Sequence, residues 1–283
     1  MNRSLECRPD SYREWYQRGN KLRAEGYYHE ALASYERALN YQPCDYWIWY
    51  RKGIVFEALG DYAEAIDSFA QASIVEPNNY WSWYEQAYIH FTEFHQYNEA
   101  IACFSQALKQ RPNDYWATYR LGEAYRKLEK FERAIDYYNL ALEQRSDDFW
   151  SYYRRAEALQ HLGQLKAALQ SYEQALGIEP DDYWAWYQQG RILQQLEQYT
   201  DAINSYQQTL SLNPECSSAW YHRSCCHAAL NERNWAIICL EKAIEIEPAK
   251  YLKLAEQEEI WHDFRLNIGF KLLITNKRYK YGL

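Results

Sequence analysis

Glycine and proline are scarce in this 283-residue chain, which holds 10 Gly and 7 Pro. Their scarcity disfavours a loop-rich all-β protein, because tight turns between short strands depend on these two residues. The sequence has no hydrophobic run of about 18 residues, the length that a transmembrane helix needs. Positive charge is also in deficit. The net charge of −8 disfavours binding to polyanions, such as the phosphates of DNA or the surface of an anionic membrane.

Cysteines in paired spacings are also absent. The seven Cys form an odd number, which predicts free thiols in a reducing compartment. The N-terminal sequence MNRSLECRPDSYREW shows no apolar segment of a secretory signal. Together these features predict a cytoplasmic location.

Motifs of catalysis and of metal binding are missing as well. The sequence holds no G-x-S-x-G, no H-E-x-x-H and no phosphate-binding loop, so we expect neither an enzyme nor a cofactor. His222, Cys225, Cys226 and His227 lie close together, but no C-x2-C pair accompanies them. Buried small thiols are a better interpretation than zinc ligands, and no metal site is predicted.

Aromatic residues are abundant instead, with 29 Tyr and 12 Trp, and they recur at a fixed period. The clearest marker of that period is a proline near the end of each repeat, with Ser146 in the one place where it is missing. Successive prolines are 34, 35, 68, 34 and 34 residues apart: Pro43, Pro77, Pro112, Pro180, Pro214 and Pro248. Seven repeats follow, at 12–45, 46–79, 80–114, 115–148, 149–182, 183–216 and 217–250, with a lead-in at 1–11.

Each repeat has the pattern of two amphipathic helices. In the second repeat, Trp49, Gly53 and Phe56 are spaced as on one face of a first helix. A second helix carries Ala65, Phe69 and Ala72 in the same spacing. Five repeats are preceded by an Asp or Asn that we expect to cap the first helix: Asp45, Asn79, Asp114, Asp148 and Asp182.

The pattern W-x3-G-x2-[LFY], followed by A-x3-[FY]-x2-A and a closing Pro, resembles the tetratricopeptide repeat family, and the bacterial members in particular. The resemblance implies an all-α, right-handed superhelical solenoid of seven helix-turn-helix repeats with a C-terminal capping helix. It also implies that the first helix of each repeat lines a concave groove and that the second lies on the convex side. One departure is systematic. The usual Leu before the small residue is replaced in most repeats, for example by Lys52 and Gln86.

Two tryptophans of one repeat cannot share a face. With positions counted from the first residue of each repeat, Trp184 is at position 2 and Trp186 at position 4, about 160° apart on a helix. The core stripe takes Trp186, whereas Trp184 joins the stripe that the resemblance assigns to the groove. Tryptophan occupies position 2 in five consecutive repeats. These rings either fill gaps between adjacent first helices or form an open ladder that grips a ligand, and the two interpretations are compatible.

The predicted partner-binding groove therefore combines aromatic residues with two arginines: Trp47, Tyr50, Trp81, Tyr84, Tyr88, Phe91, Trp116, Tyr119, Arg126, Trp150, Tyr153, Trp184, Tyr187 and Arg191. We expect a non-enzymatic scaffold, adaptor or assembly factor that binds another protein as an extended peptide or a helix. The alternative is glycan binding through the rings. Nucleic acid is not expected, because the groove is not basic. Self-association through the terminal repeats is a further possibility.

The segment 251–283 leaves the repeat pattern. Tyr251, Leu252, Leu254 and Ala255 predict a helix that covers the last repeat. A second set predicts a further amphipathic helix: Trp261, Phe264, Arg265 and Ile268. A frayed basic tail is expected after it, and the alternative is a tail that contacts an acidic partner or anionic lipid.

Overall fold

The computed structural model describes residues 11–282, which divide into two compact bodies between Gln144 and Arg145. We call residues 11–144 the N-terminal body and residues 145–282 the C-terminal body. Across both bodies the described chain contains sixteen α-helices, two short 3-10 helices and no strand. The predicted all-α class is confirmed. The predicted lead-in lies, except for Ser11, outside the described residues.

The N-terminal body consists of eight helices in four antiparallel pairs, each a helix-turn-helix unit. They are α1 (Tyr12–Ala24), α2 (Tyr28–Tyr41), α3 (Tyr46–Leu59), α4 (Tyr62–Val75), α5 (Tyr80–Thr92), α6 (Tyr97–Gln110), α7 (Tyr115–Lys127) and α8 (Phe131–Gln144). Within this body each pair also packs on the next, through contacts of α2 with α3, α4 with α5 and α6 with α7.

The C-terminal body continues with three more pairs and ends in two further helices. The pairs are α9 (Phe149–His161), α10 (Leu165–Ile178), α11 (Tyr183–Gln195), α12 (Tyr199–Leu212), α13 (Ser217–Ala229) and α14 (Arg233–Ile246). Helix α15 (Pro248–Gln257) follows, then 3-10 helices at Glu259–Trp261 and Asp263–Leu266, and finally α16 (Ile268–Tyr281).

In six of the seven repeats the first helix begins at a side-chain cap, whereas α13 follows Cys216 and lacks one. Asp45 accepts a hydrogen bond from the Ile48 amide at 2.9 Å, and Asp182 accepts one from Ala185 at 2.6 Å. Asn79, Asp114 and Asp148 cap in the same way at 2.7–3.2 Å. A cap of this kind satisfies amide groups that have no partner inside the helix. All five predicted caps are confirmed.

The turn inside each pair needs a residue with positive φ. Glycine supplies it at Gly26, Gly60 and Gly163, with φ of 71–83°. Elsewhere the same place is held by residues with a side chain, such as Glu129 at 56° and Glu197 at 60°. A left-handed backbone is unfavourable for residues other than glycine, so these turns carry a small local cost.

The paired helices cross at a small residue. Gly53 of α3 lies against the ring of Phe69 on α4, and a Cβ atom there would approach the ring carbon Cε1 to 2.6 Å. On α4 the residues Ala65, Phe69 and Ala72 are all fully buried. The predicted core stripe of the second helix is therefore confirmed.

The core stripe predicted for the first helix is only partly right, because Gly53 is buried as predicted but the most buried apolar side chains lie one residue before Trp49 and Phe56. Ile48 and Val55 are fully buried, whereas Trp49 and Phe56 are only partly buried. The cause is that α3 packs against α2 of the preceding repeat as well as against its own partner α4. Its buried face lies between these two contacts, and Trp49 stands at the edge of that face.

The tryptophan at position 4 instead links its helix to the loop before it. In four repeats its indole N–H donates a hydrogen bond to the carbonyl oxygen of the proline six residues earlier. The four bonds measure 2.8–2.9 Å: Trp49 to Pro43, Trp83 to Pro77, Trp186 to Pro180, and Trp220 to Pro214. The placement of Trp186 in the core is thus only partly right, because its ring is half-buried and anchored at one edge.

The C-terminal segment closes the last repeat. Tyr251, Trp261 and Phe264 are buried in one cluster with residues of α13, α14 and α16. The amphipathic helix predicted through Ile268 is wrong, because Asn267 caps a new helix by accepting a hydrogen bond from the Phe270 amide at 3.1 Å. The residues Trp261, Phe264 and Arg265 lie in two 3-10 helices instead, and the Ile268 side chain is 75% exposed.

The predicted frayed tail is instead helix α16. Lys277 is buried and forms ion pairs with Glu241 and Glu245 of α14 at 2.9 and 2.8 Å. Arg278 pairs with Glu256 of α15 at 2.8 Å. Lys277 and Arg278 therefore have acidic partners within the same body.

Candidate functional site

The five tryptophans at position 2 each lie at the second residue of a first helix, directly after the cap. We call them the position-2 tryptophans: Trp47, Trp81, Trp116, Trp150 and Trp184. Their exposed fractions are 50, 42, 54, 48 and 42% in that order. About half of each ring is thus open to solvent. The interpretation that they are wholly used to fill gaps between helices does not fit this exposure.

Each position-2 tryptophan is held by rings of its own helix. It meets the aromatic residue at position 1 edge-to-face, with centroids 5.0–6.0 Å apart and planes at 72–84°. Trp184 also stacks on Tyr187 at 4.9 Å. Edge-to-face and offset contacts of this kind are favourable and restrict the rotation of the indole. The exposed faces are therefore presented in fixed orientations.

The tyrosines at position 5 serve mainly as support. Each packs on an aromatic ring of the second helix in the same repeat, at 5.4–6.0 Å: Tyr50, Tyr84, Tyr119, Tyr153 and Tyr187. Tyr153 and Tyr187 are buried, while the other three are partly exposed. Only those three offer surface beside the position-2 tryptophans.

The remaining predicted groove residues differ in their surroundings. Tyr88 and Phe91 lie beneath the guanidinium of Arg120, at 5.5 and 5.7 Å from the ring centroids. Arg126 makes two hydrogen bonds of 3.0 Å to Glu123, a buried carboxylate that also accepts the hydroxyl of Tyr138 at 2.5 Å. Arg126 is therefore part of an internal network.

Arg191 of α11 belongs to the C-terminal body. Its Nη1 approaches the Gln188 side-chain oxygen at 3.5 Å. Burial lowers the pKa of His222 to about 4, and the positive charge of Arg191 contributes to that shift. His222 is thus neutral at pH 7, and its ring packs on Tyr187 and Tyr206 at 5.9 Å.

Position 6 carries side chains that are absent from the predicted groove and that contact neighbouring first helices. Arg51 of α3 donates a hydrogen bond to the Tyr16 hydroxyl of α1 at 2.9 Å, and Tyr50 donates one to Glu85 of α5 at 3.1 Å. These residues link consecutive first helices. Position 6 lies four residues after position 2, and this spacing puts Arg51 and Glu85 on the helix face of the position-2 tryptophans. The sequence therefore held a signal that could have identified them.

The carboxyl groups near these links are perturbed. Burial raises the pKa of Glu85 to about 7; the hydrogen bond from Tyr50 opposes that rise, and the charge of Glu57 adds to it. Burial also raises the pKa of Glu57, with a further contribution from Glu93. This face of the N-terminal body therefore holds carboxyl groups that are reluctant to ionise.

The cysteine and histidine residues of α13 have separate partners. Cys225 and Cys226 are buried, and burial raises the pKa of each thiol to about 12. His227 bonds to Glu232 at 2.6 Å. Among residues 11–282, no three His, Cys, Asp or Glu side chains are arranged to hold a metal ion, and the six cysteines there are free. None of the helices in that range is both long and apolar enough to cross a membrane.

Comparison with solved structures finds the same architecture. YrrB, titled "a TPR protein with an unusual peptide-binding site", is 23% identical over 65% of this chain and 94% of its own, with a TM-score of 0.59. A tetratricopeptide repeat protein from Parabacteroides merdae is 17% identical over 88% of this chain and 100% of its own, with a TM-score of 0.57. The C-terminal part of one from Cytophaga hutchinsonii is 15% identical, covering 84% and 98%, with a TM-score of 0.69. At these identities the likeness shows the fold.

Sequence profiles described as tetratricopeptide repeat match nearly all of the helical pairs. The matched residues are 16–79 and 83–149, then 149–182 and 183–216, and finally 217–250. A comparison with curated proteins gives no match. Stacked repeats of this kind form extended surfaces that bind other proteins, which supports a protein-interaction scaffold. The chain belongs to the tetratricopeptide repeat family.

Proposed function

We propose that this chain is a non-enzymatic scaffold, adaptor or assembly factor that binds an extended peptide or a helix of another protein through its position-2 tryptophans. The observation that carries the proposal is their half-exposure in five successive repeats. By resemblance to the family, these first helices line the concave side. The cytoplasmic location and self-association through the terminal repeats remain predictions.

Exposed indoles in fixed orientations suit a protein ligand. Tryptophan is enriched among the residues that contribute most to binding at protein interfaces. Because the ring at position 1 already contacts each indole, less side-chain freedom is left to lose when a ligand binds. A partner segment with apolar or aromatic side chains would cover the open half of each ring.

The chain's own arginines indicate a second kind of group that these rings accept. The guanidinium of Arg111 lies 4.5 Å from the ring centroid of Tyr80 and 5.0 Å from that of Trp81. In the C-terminal body, Arg154 lies 5.4 Å from Trp150. Cation–π contacts of this geometry are favourable. A ligand arginine is therefore compatible with the same surface.

The polar groups nearest the rings favour a protein over a glycan. Sugar binding through stacked rings also needs side chains that bond to hydroxyl groups. Asp45 caps α3 and accepts a hydrogen bond from the hydroxyl of Tyr12. Asp114 caps α7 and accepts the hydroxyl of Tyr80 at 2.8 Å. These carboxylates are engaged in the fold, which argues against their use as sugar ligands.

The proposal is tested with peptides selected from a display library on the intact chain. The double variant Trp81→Ala with Trp116→Ala should lower the affinity for the selected peptide by more than tenfold, or about 1.4 kcal/mol. Trp235→Ala is the matched control, because Trp235 is 55% exposed but lies on a second helix, α14. It should change affinity by less than about twofold. Equal losses in both variants, or none in the double variant, would contradict the proposal.

A further inference from the structure

The position-4 tryptophan is missing from the fourth repeat, where Thr118 takes its place. In the second repeat, Trp49 packs against the cluster that contains Leu39 of α2 and bonds to the Pro43 carbonyl at 2.9 Å. Leu108 and Pro112 stand in the corresponding places beside Thr118, 69 residues after Leu39 and Pro43, or one period of 34 plus one of 35. The indole is absent, and the two residues that would flank it are retained.

A cleft occupies the space beside Thr118. Its volume is about 500 Å³, and its apolar walls are Leu108 of α6 and Tyr137 and Leu140 of α8. This volume lies within the range of ligand-binding pockets. Leu140 is 44% exposed and leaves apolar surface open at the mouth of the cleft. The whole cleft lies within the N-terminal body.

The polar groups that line the cleft include several acceptors, beside the Asn113 amide and the Tyr137 hydroxyl. The Thr118 hydroxyl donates to the Asp114 carbonyl at 2.7 Å and accepts from Gln144 Nε2 at 3.3 Å. The Oε1 atom of Gln144 is buried and has no hydrogen-bond partner. The Pro112 carbonyl is the counterpart of those that bind an indole N–H in four other repeats, and Glu143 adds a carboxylate. The Pro112 carbonyl and the Glu143 carboxylate both line the cleft and both suit a ligand that donates an N–H group.

We propose that this cleft binds the indole ring of a tryptophan side chain from a partner polypeptide, with the indole N–H donating to the Pro112 carbonyl. The occupant is identified by the chain itself, which places its own tryptophan at the same location in four repeats. The carboxylate of Glu143 can accept a hydrogen bond from a backbone amide of the same peptide. The site is separate from the position-2 tryptophans, because position 4 points about 160° away from position 2.

The probe is the tripeptide acetyl-Gly-Trp-Gly-amide with a 5-fluoroindole ring, observed by ¹⁹F NMR with the intact chain. Thr118→Trp should supply the missing indole, raise the melting temperature and weaken probe binding at least tenfold. A 1-methylindole form of the probe, which lacks the N–H, should bind at least threefold more weakly. Trp49→Thr should free the Pro43 carbonyl in the cleft of about 740 Å³ that Leu39, Pro43 and Trp49 already line, and should raise the number of bound probes from one to two.

Leu140→Glu is the second variant, since a change at a half-exposed wall should leave the melting temperature unaltered while reducing binding tenfold. Unchanged probe binding in both Thr118→Trp and Leu140→Glu would overturn the site. Free indole that binds as tightly as the tripeptide would overturn the assignment to a polypeptide. Neither result bears on the position-2 tryptophans, so the two proposals fail independently.

Discussion

The carboxyl group of Glu85, at position 6 of α5, should make the stability of the protein fall as pH rises. Tyr50 donates a hydrogen bond to it at 3.1 Å, and burial raises its pKa from 4.5 to about 7. The folded state therefore holds this proton more tightly than the unfolded state does. The free energy of unfolding should decline between about pH 4.5 and pH 7 and show the whole loss above that range.

The size of the loss follows from the two pKa values. The rise from 4.5 to about 7 corresponds to at most about 3 kcal/mol, and solvent near this partly exposed group reduces the expected value to about 1–2 kcal/mol. The substitution Glu85→Gln keeps an acceptor for Tyr50 and removes the charge. The variant should therefore be more stable than the parent by about 1–2 kcal/mol at pH 8, and by about a quarter of that at pH 5.

The assay is urea denaturation followed by far-ultraviolet circular dichroism at pH 5, 6.5 and 8. Glu25→Gln is the control, because its ion pair with Lys21, at 3.9 Å, joins side chains that are 45% and 76% exposed. Its effect should stay below about 0.5 kcal/mol at each pH. A Glu85→Gln variant whose advantage does not grow between pH 5 and pH 8 would refute the reasoning.

Three further substitutions test the packing, the turns and the proline link by the same denaturation assay. Gly122→Leu should cost about 1–3 kcal/mol, because even a Cβ atom there would lie 2.7 Å from Tyr138 Cε1, and an unchanged midpoint would show that the register is wrong. Glu197→Gly should raise the free energy of unfolding by about 0.5–1 kcal/mol, because φ is 60° at that turn and glycine adopts this conformation without strain. A loss of stability would contradict this argument. Trp186→Phe should cost about 1 kcal/mol by removing the bond to Pro180, and no change would mean that the bond contributes nothing.

The second helices and the caps could be predicted from the sequence because local pattern determines them. Ala65, Phe69 and Ala72 are fully buried at the spacing that a single helix face requires. Asp45 caps α3 because an Asp before a helix start needs no distant partner to do so. The exposure of Trp47, opposite the core face, follows from the same helical geometry.

Features that depend on neighbouring helices could not be predicted. The burial of Ile48 and Val55, rather than of Trp49, reflects the contact of α3 with two second helices at once. The hydrogen bond that Glu85 accepts comes from the hydroxyl of Tyr50, 35 residues away. The pattern of a single repeat contains neither contact.

The central claim is that the position-2 tryptophans bind the partner and that the position-4 tryptophans hold the fold. The most direct test is ¹⁹F NMR of the intact chain labelled with 5-fluorotryptophan, with resonances assigned by single Trp→Phe variants. On addition of a selected peptide, the resonances of Trp81 and Trp116 should shift, while those of Trp49 and Trp83, bonded to Pro43 and Pro77, should stay in place. A peptide that shifts the position-4 resonances and leaves those of Trp81 and Trp116 unmoved would contradict the account.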